Sequence, residues 1–154
     1  MPRRMHPRAG RLAAGLLVLA GAATTSPAPA VASPPAAVTI VATVDAGPGF
    51  AGSWSATGAI EDGGRFERSD LHLSGSLEHS PAAGALQVEL EFTGAGGTFV
   101  LRDELLISGD GLDGTWQVVA GSGAYSTATG HGTSSFDPAT ASTTFAGVVD
   151  LTRH

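Results

Sequence analysis

The sequence predicts an all-β protein, a single antiparallel up-and-down β-barrel of eight strands, with a two-sheet β-sandwich as the alternative. Segments rich in Val, Thr, Leu and Phe alternate with short clusters of Gly, Asp and Ser. No window keeps an apolar stripe at helical spacing over three turns. Short turns between eight strands favour a sheet that closes on itself, because closure removes exposed edges.

Eight segments have the composition of strands and are bounded by turn residues. They cover residues 38–44, 52–60, 65–76, 85–93, 98–108, 114–120, 130–136 and 143–152. Three connections are predicted as tight turns because their glycines can adopt positive φ. These turns are residues 61–64, 94–97 and 109–113.

Alternation with a period of two predicts which side chains face the interior. In the fourth segment Leu86, Val88, Leu90 and Phe92 share one face, and in the third segment Leu71, Leu73 and Leu77 do the same. The fifth segment places Asp103 on the face of Phe99, Leu101, Leu105 and Ile107. An inward Asp103 must be paired, hydrogen-bonded or protonated. A bulge at residues 102–104 would turn it outward, and we favour that bulge.

The stretch 114–133 is rich in glycine, and neither common nucleotide-binding motif explains it. A phosphate-binding loop needs a lysine, which the chain lacks, and a dinucleotide fingerprint needs a glycine where Ser126 stands. We therefore predict no cofactor. Gly121, Gly123, Gly130 and Gly132 are predicted to serve a turn, with at least one of them at positive φ. Tyr125 is predicted to pack under this turn as a plug, with its hydroxyl near the rim.

Three segments of this region resemble the strand-turn-strand hallmark of the allene oxide cyclase-like and dirigent-like β-barrels: 114–116, 121–125 and 129–133. The upstream segments 52–60, 92–94 and 97–101 are also similar to an uncharacterised, often secreted bacterial family on that barrel. The resemblance covers residues 50 to 151 and implies a calycin-like barrel. Many members of the family have Gln-His where this chain has Arg102-Asp103. No catalytic residue is carried over.

Candidate site residues are few. Trp54, Asp103, Trp116 and Tyr125 are the candidates for ligand binding, although both tryptophans are favoured as core anchors over sugar platforms. Asp103 is also the candidate for a catalytic acid or base. His72, His79, His131 and His154 lack metal-ligand spacing, and a calcium loop starting at Asp110 would have Gly121 at its twelfth position, so no metal is predicted.

The amino terminus has the features of a secretory signal peptide. Four arginines without an acid precede the apolar run 12–23, which is shorter than the roughly 20 residues of a membrane span. We expect cleavage after Ala32, or alternatively at Ala28/Ala30, then a Pro/Ala-rich tether over residues 33–37 and a barrel domain over 38–154. The predicted location is secreted, without stable membrane insertion after cleavage.

Composition restricts the partners of the predicted mature chain. Its 122 residues contain four arginines and all fourteen acids, a formal charge of −10, and the sequence has no cysteine. Nucleic acids and anionic lipid surfaces are therefore excluded as favoured partners. The leading hypothesis is non-catalytic binding of a small apolar molecule inside the barrel. The alternatives are an isomerase or cyclase that uses Asp103, and an extracellular interaction module.

Overall fold

The protein is a closed antiparallel barrel, as the sequence predicts. The computed structural model describes residues 34–74, 83–108 and 111–151, and within these ranges eight strands pair in chain order, with β1 also pairing with β8. The two-sheet sandwich is therefore wrong. The strands are β1 (Ala36–Val44), β2 (Ala51–Gly58), β3 (Asp62–Ser74), β4 (Ala83–Gly94), β5 (Gly97–Ser108), β6 (Gly111–Gly121), β7 (Thr129–Asp137) and β8 (Ser142–Asp150).

Several predicted strand boundaries need correction. The turn between β2 and β3 is residues 59–61, so Gly63 and Gly64 lie inside β3, where their lack of a Cβ lets the neighbouring backbones approach closely. β1 begins at Ala36, so the strand takes the last two residues of the predicted tether. The turn at residues 94–97 is confirmed. β6 begins at Gly111 and not at Gly114, so residues 111–113 of the predicted turn at 109–113 belong to a strand. The signal peptide (1–32), Leu77 and residues 109–110 lie outside the described residues.

An aromatic cluster fills the middle of the barrel. Phe92 lies at its centre, with its ring centroid 4.9 Å from that of Phe99, 5.7 Å from those of Trp54 and Phe66, and 6.0 Å from that of Phe145. All five rings are at most 4% exposed. An eight-stranded barrel has an interior just wide enough for side chains to fill. These rings therefore close off the middle of the barrel.

Glycines two strands away in the sheet make room for the two tryptophans. Trp116 on β6 pairs with Gly132, which pairs in turn with Gly147 on β8. A Cβ at Gly147 would lie 2.7 Å from the Trp116 ring, and one at Gly94 would lie 2.8 Å from the Trp54 ring. Each indole N–H donates to a backbone carbonyl, of Thr93 for Trp54 and of Thr133 for Trp116. Both rings are thus buried without an unsatisfied donor.

The connection between β6 and β7 plugs one end of the barrel. The chain forms a 3₁₀ turn over Gly123–Tyr125, and the Tyr125 ring packs edge-on against Phe99 with a centroid distance of 5.2 Å. The Tyr125 hydroxyl donates to the Asp62 carboxylate over 2.6 Å, and the Gly96 N–H donates to the same oxygen over 2.9 Å. The hydroxyl bond is the main reason why the pKa of Asp62 falls to about 2. We call this the plugged end, and we use the name open end only to denote the opposite end, where β3, β5 and β7 finish.

The glycines of this stretch divide into two roles. Gly123 has φ of +59°, which confirms that at least one of the four has positive φ. Gly121 ends β6 where a Cβ would overlap the Tyr125 carbonyl. Gly130 and Gly132 lie inside β7, so their role is close strand approach and not the turn that the sequence predicts.

Replacing Gly123 with valine tests the turn. Valine is strained at positive φ, and its Cβ would also lie 2.5 Å from the Gly96 carbonyl oxygen. We expect Gly123→Val to lower the free energy of unfolding by about 1–3 kcal/mol, measured by chemical denaturation. Gly47→Val is the matched control, because a Cβ there meets nothing within 4 Å. An equal loss in both variants would contradict the role of Gly123.

Candidate functional site

A cavity of about 220 Å³ occupies the interior at the open end. It lies where β3, β5 and β7 end and where β4, β6 and β8 begin. Its apolar lining comes from the loop after β1 and from strands β3 to β7, and consists of Phe50, Leu71, Leu86, Val88, Leu105, Leu112 and Phe136. Two polar residues, Arg68 and Thr143, complete the lining. We call this space the end cavity.

A β-bulge in β3 places Arg68 at the end cavity. Arg68 pairs with Leu90 and Asp70 pairs with Glu89, so Ser69 is the extra residue. Residues directly opposite one another in an antiparallel pair point to the same face, and Leu90 is buried inside the barrel. Arg68 and Leu71 are three residues apart, a spacing that would place them on opposite faces of a regular strand. Because of the extra residue Ser69, both lie on the interior face.

The buried carboxylate of Asp103 lies deeper in the barrel than the end cavity, at the next inward-facing position along β5. Asp103 precedes the cavity residue Leu105 by two positions on β5, and Ser134 precedes Phe136 by two positions on β7. The Ser134 hydroxyl donates to the Asp103 carboxylate over 2.7 Å, and Asp103 is 1% exposed. A Cβ at Gly114 would lie 3.0 Å from the carboxylate and 2.8 Å from the hydroxyl. This glycine leaves the space that the pair occupies.

Burial sets the protonation of Asp103. Loss of solvation raises its pKa to about 6, the Ser134 hydrogen bond opposes that rise, and the negative charge of neighbouring Glu104 adds to it. A carboxyl group with such a pKa exchanges its proton near neutral pH, which is what a general acid or base requires.

The bulge predicted at residues 102–104 is wrong. β5 pairs with β4 without a break from Arg102 to Glu104, and Asp103 faces the interior. The irregularity between β5 and β6 is instead at Val119, the extra residue of β6. A carboxylate can stay inside because the Ser134 hydroxyl satisfies part of its hydrogen-bonding capacity and Gly114 leaves it room.

The other predicted ligand-binding residues lie apart from the end cavity. Trp54 and Trp116 are 4% and 2% exposed and belong to the packed core, and Tyr125 plugs the opposite end. Trp54, Trp116, Tyr125 and Asp103 are all absent from the lining of the end cavity. Sequence reasoning missed the lining residues Phe50, Leu112 and Phe136, and also Arg68. A signal for Arg68 was its spacing of two from Phe66, an apolar residue of the same predicted strand.

Neither a metal-binding cluster nor a membrane-spanning helix is found in the part of the chain that the structure describes. There, no three His, Asp or Glu side chains lie close enough together to hold a metal ion. No helix in the same ranges has the length and hydropathy needed to cross a membrane. Comparisons with protein-family models, with curated proteins and with solved structures found no match for the chain.

Substituting Asp103 tests its buried state through the pH dependence of stability. The folded-state pKa, about 6, is above the ordinary 3.8, so folding favours the protonated form. Burial of the charge therefore costs stability above pH 6, and this cost disappears as the pH falls toward 4. We expect Asp103→Asn to be about 1–3 kcal/mol more stable than the wild type at pH 8, and equally stable near pH 4.

Chemical denaturation at both pH values provides the measurement. Asp113→Asn, at an exposed position on neighbouring β6, is the control and is expected to change stability little at either pH. A difference between Asp103→Asn and the wild type that stays constant between pH 4 and pH 8 would contradict a buried, titrating Asp103.

Proposed function

We propose that the protein is a secreted, non-catalytic barrel that binds a small apolar molecule in the end cavity. The observation that carries this proposal is the cavity itself, an apolar space at the open end of an otherwise packed barrel. Apolar side chains that remain partly exposed on its wall, such as Leu105 and Phe136, are shielded from water when a ligand binds. Secretion is proposed from the arginine-rich start and the short apolar run of residues 1–32.

The volume of the cavity limits the ligand. An apolar cavity of roughly 150 Å³ is sufficient for benzene, and pockets for drug-sized molecules begin at about 300 Å³. At about 220 Å³, the end cavity fits one ring or a medium-length alkyl chain. A long-chain lipid is therefore too large to be buried along its whole length in this cavity.

The resemblance to allene oxide cyclase-like barrels supports a second candidate, an isomerase or cyclase. The observation that favours it is Asp103, whose pKa of about 6 is suitable for moving a proton and which lies next below the end cavity. An unstable unsaturated fatty-acid epoxide is the substrate to test. Rearrangement above the spontaneous rate that is lost in Asp103→Asn would favour the enzyme, and an unchanged rate would count against it.

An extracellular interaction module has less support. Among the described residues the exposed large hydrophobic side chains are Leu71, Leu106 and Val119, and they lie on three different strands. Leu71 also lines the end cavity. A docking surface for a protein partner is expected to present a contiguous apolar patch.

Two neighbouring leucines on β5 provide a matched test of the proposed function. Leu105 lines the end cavity, whereas Leu106 is 63% exposed on the outside of the barrel. Leu105→Trp places an indole in the cavity, so we expect it to weaken binding of 1-octanol by about tenfold or more, since the apolar surface open to the ligand is lost. Leu106→Trp should leave the affinity unchanged. Isothermal titration calorimetry measures both.

Thermal unfolding of the two variants controls for misfolding, and Leu112→Phe provides a milder filling of the same cavity. Absence of 1-octanol binding to the wild type, or equal binding by wild type, Leu105→Trp and Leu112→Phe, would overturn the end cavity as the binding site.

A further inference from the structure

One arginine at the end cavity has no acidic partner within the described ranges. Arg65 lies 2.9 Å from the Asp45 carboxylate, and Arg102 lies 2.7 Å from the Glu89 carboxylate. Among the residues that the structure describes, Arg68 forms no such ion pair. Acids greatly outnumber arginines in this chain, so an unpaired guanidinium here is unexpected. The charge of Arg68 is therefore not neutralised by any acid among the described residues, and its guanidinium can pair with a bound molecule.

The position of Arg68 at the cavity is fixed by the backbone. Its N–H donates to the Phe50 carbonyl over 2.9 Å, and its strand partner is the buried Leu90. The adjacent bulge at Ser69 turns the chain at this point. Arg68 is exposed and also lines the end cavity, so its guanidinium can contact both water and a bound molecule.

We infer that the ligand of the end cavity is an amphiphile with a single anionic head, held by Arg68, and a short apolar tail. This inference rests on the proposed function and names its ligand class. A guanidinium presents two parallel N–H donors that match a carboxylate, and such charge-assisted pairs are stronger than neutral hydrogen bonds. The apolar wall formed by Leu86, Leu105 and Leu112 takes the tail.

The charges around the cavity also set the orientation of the ligand. Arg68 is the exposed charged residue of the cavity wall, whereas Asp103 lies deeper, buried and held by Ser134. An anionic head placed deep in the barrel would be repelled by the Asp103 carboxylate and would lose its hydration. The stable arrangement has the tail inward and the head at Arg68. A cationic head would meet Arg68 at the cavity wall and is disfavoured.

Comparison of octanoate with 1-octanol tests the inference, because the two share a chain length and differ in the charge of the head. We expect Arg68→Gln to raise the dissociation constant of octanoate about tenfold at pH 8 and that of 1-octanol less than twofold. Arg65→Gln is the matched control. It removes the same charge from the same strand, but at a position that faces outward and does not line the cavity. Arg68→Lys keeps the charge and should retain part of the octanoate affinity.

Calorimetric titration of the four proteins with both probes separates the outcomes. Loss of octanoate binding in Arg68→Gln alone, with 1-octanol binding kept, supports the inference. Equal octanoate affinity in wild type and Arg68→Gln, or an equal loss in Arg65→Gln, overturns the anionic head but leaves the end cavity as an apolar site. Failure of the wild type to bind either probe overturns the proposed function and the inference together.

Discussion

Packing of large aromatic rings inside a narrow barrel is the constraint on which the rest of this structure depends. Eight strands enclose a space just wide enough for side chains. Trp54, which packs against Phe92, and Trp116 fit there because Gly94 and Gly147 leave room beside their rings. The middle is filled and Tyr125 closes one end, so among the described residues the end cavity is confined to the open end, which accounts for its small size.

Asp62, Asp103 and Arg68 differ in how well their surroundings stabilise a charge. Asp62 accepts hydrogen bonds from the Tyr125 hydroxyl and from backbone N–H groups, which stabilise its charge and hold the plug in place. Asp103 has one hydroxyl donor and is buried, so its charged form is disfavoured. Arg68 has no acidic partner among the described residues. Asp62, which accepts the most hydrogen bonds of the three, has a structural role. Arg68 lines the end cavity, and Asp103 lies next to it.

The fold could be predicted from the sequence because alternation and glycine punctuation are local signals. Leu86, Val88, Leu90 and Phe92 line the interior as their period of two predicts, and Tyr125 is the plug. Bulges were less predictable. An extra residue changes which face a strand presents without leaving a mark in composition, so the bulges at Ser69 and Val119 were missed and one was wrongly placed at Asp103. The end cavity could not be predicted, because empty space depends on how side-chain volumes from six or more segments add up in three dimensions.

We propose that a ligand enters the barrel only at the open end, because the core is packed and the other end is plugged. Nuclear magnetic resonance with 1-octanol tests it directly, since the methyl groups of Leu105 and Leu112 report on the end cavity and the indole N–H groups of Trp54 and Trp116 report on the core. We predict that saturating ligand shifts the leucine methyl resonances while both indole resonances stay in place. Shifts at the indoles without shifts at these leucines would contradict the claim.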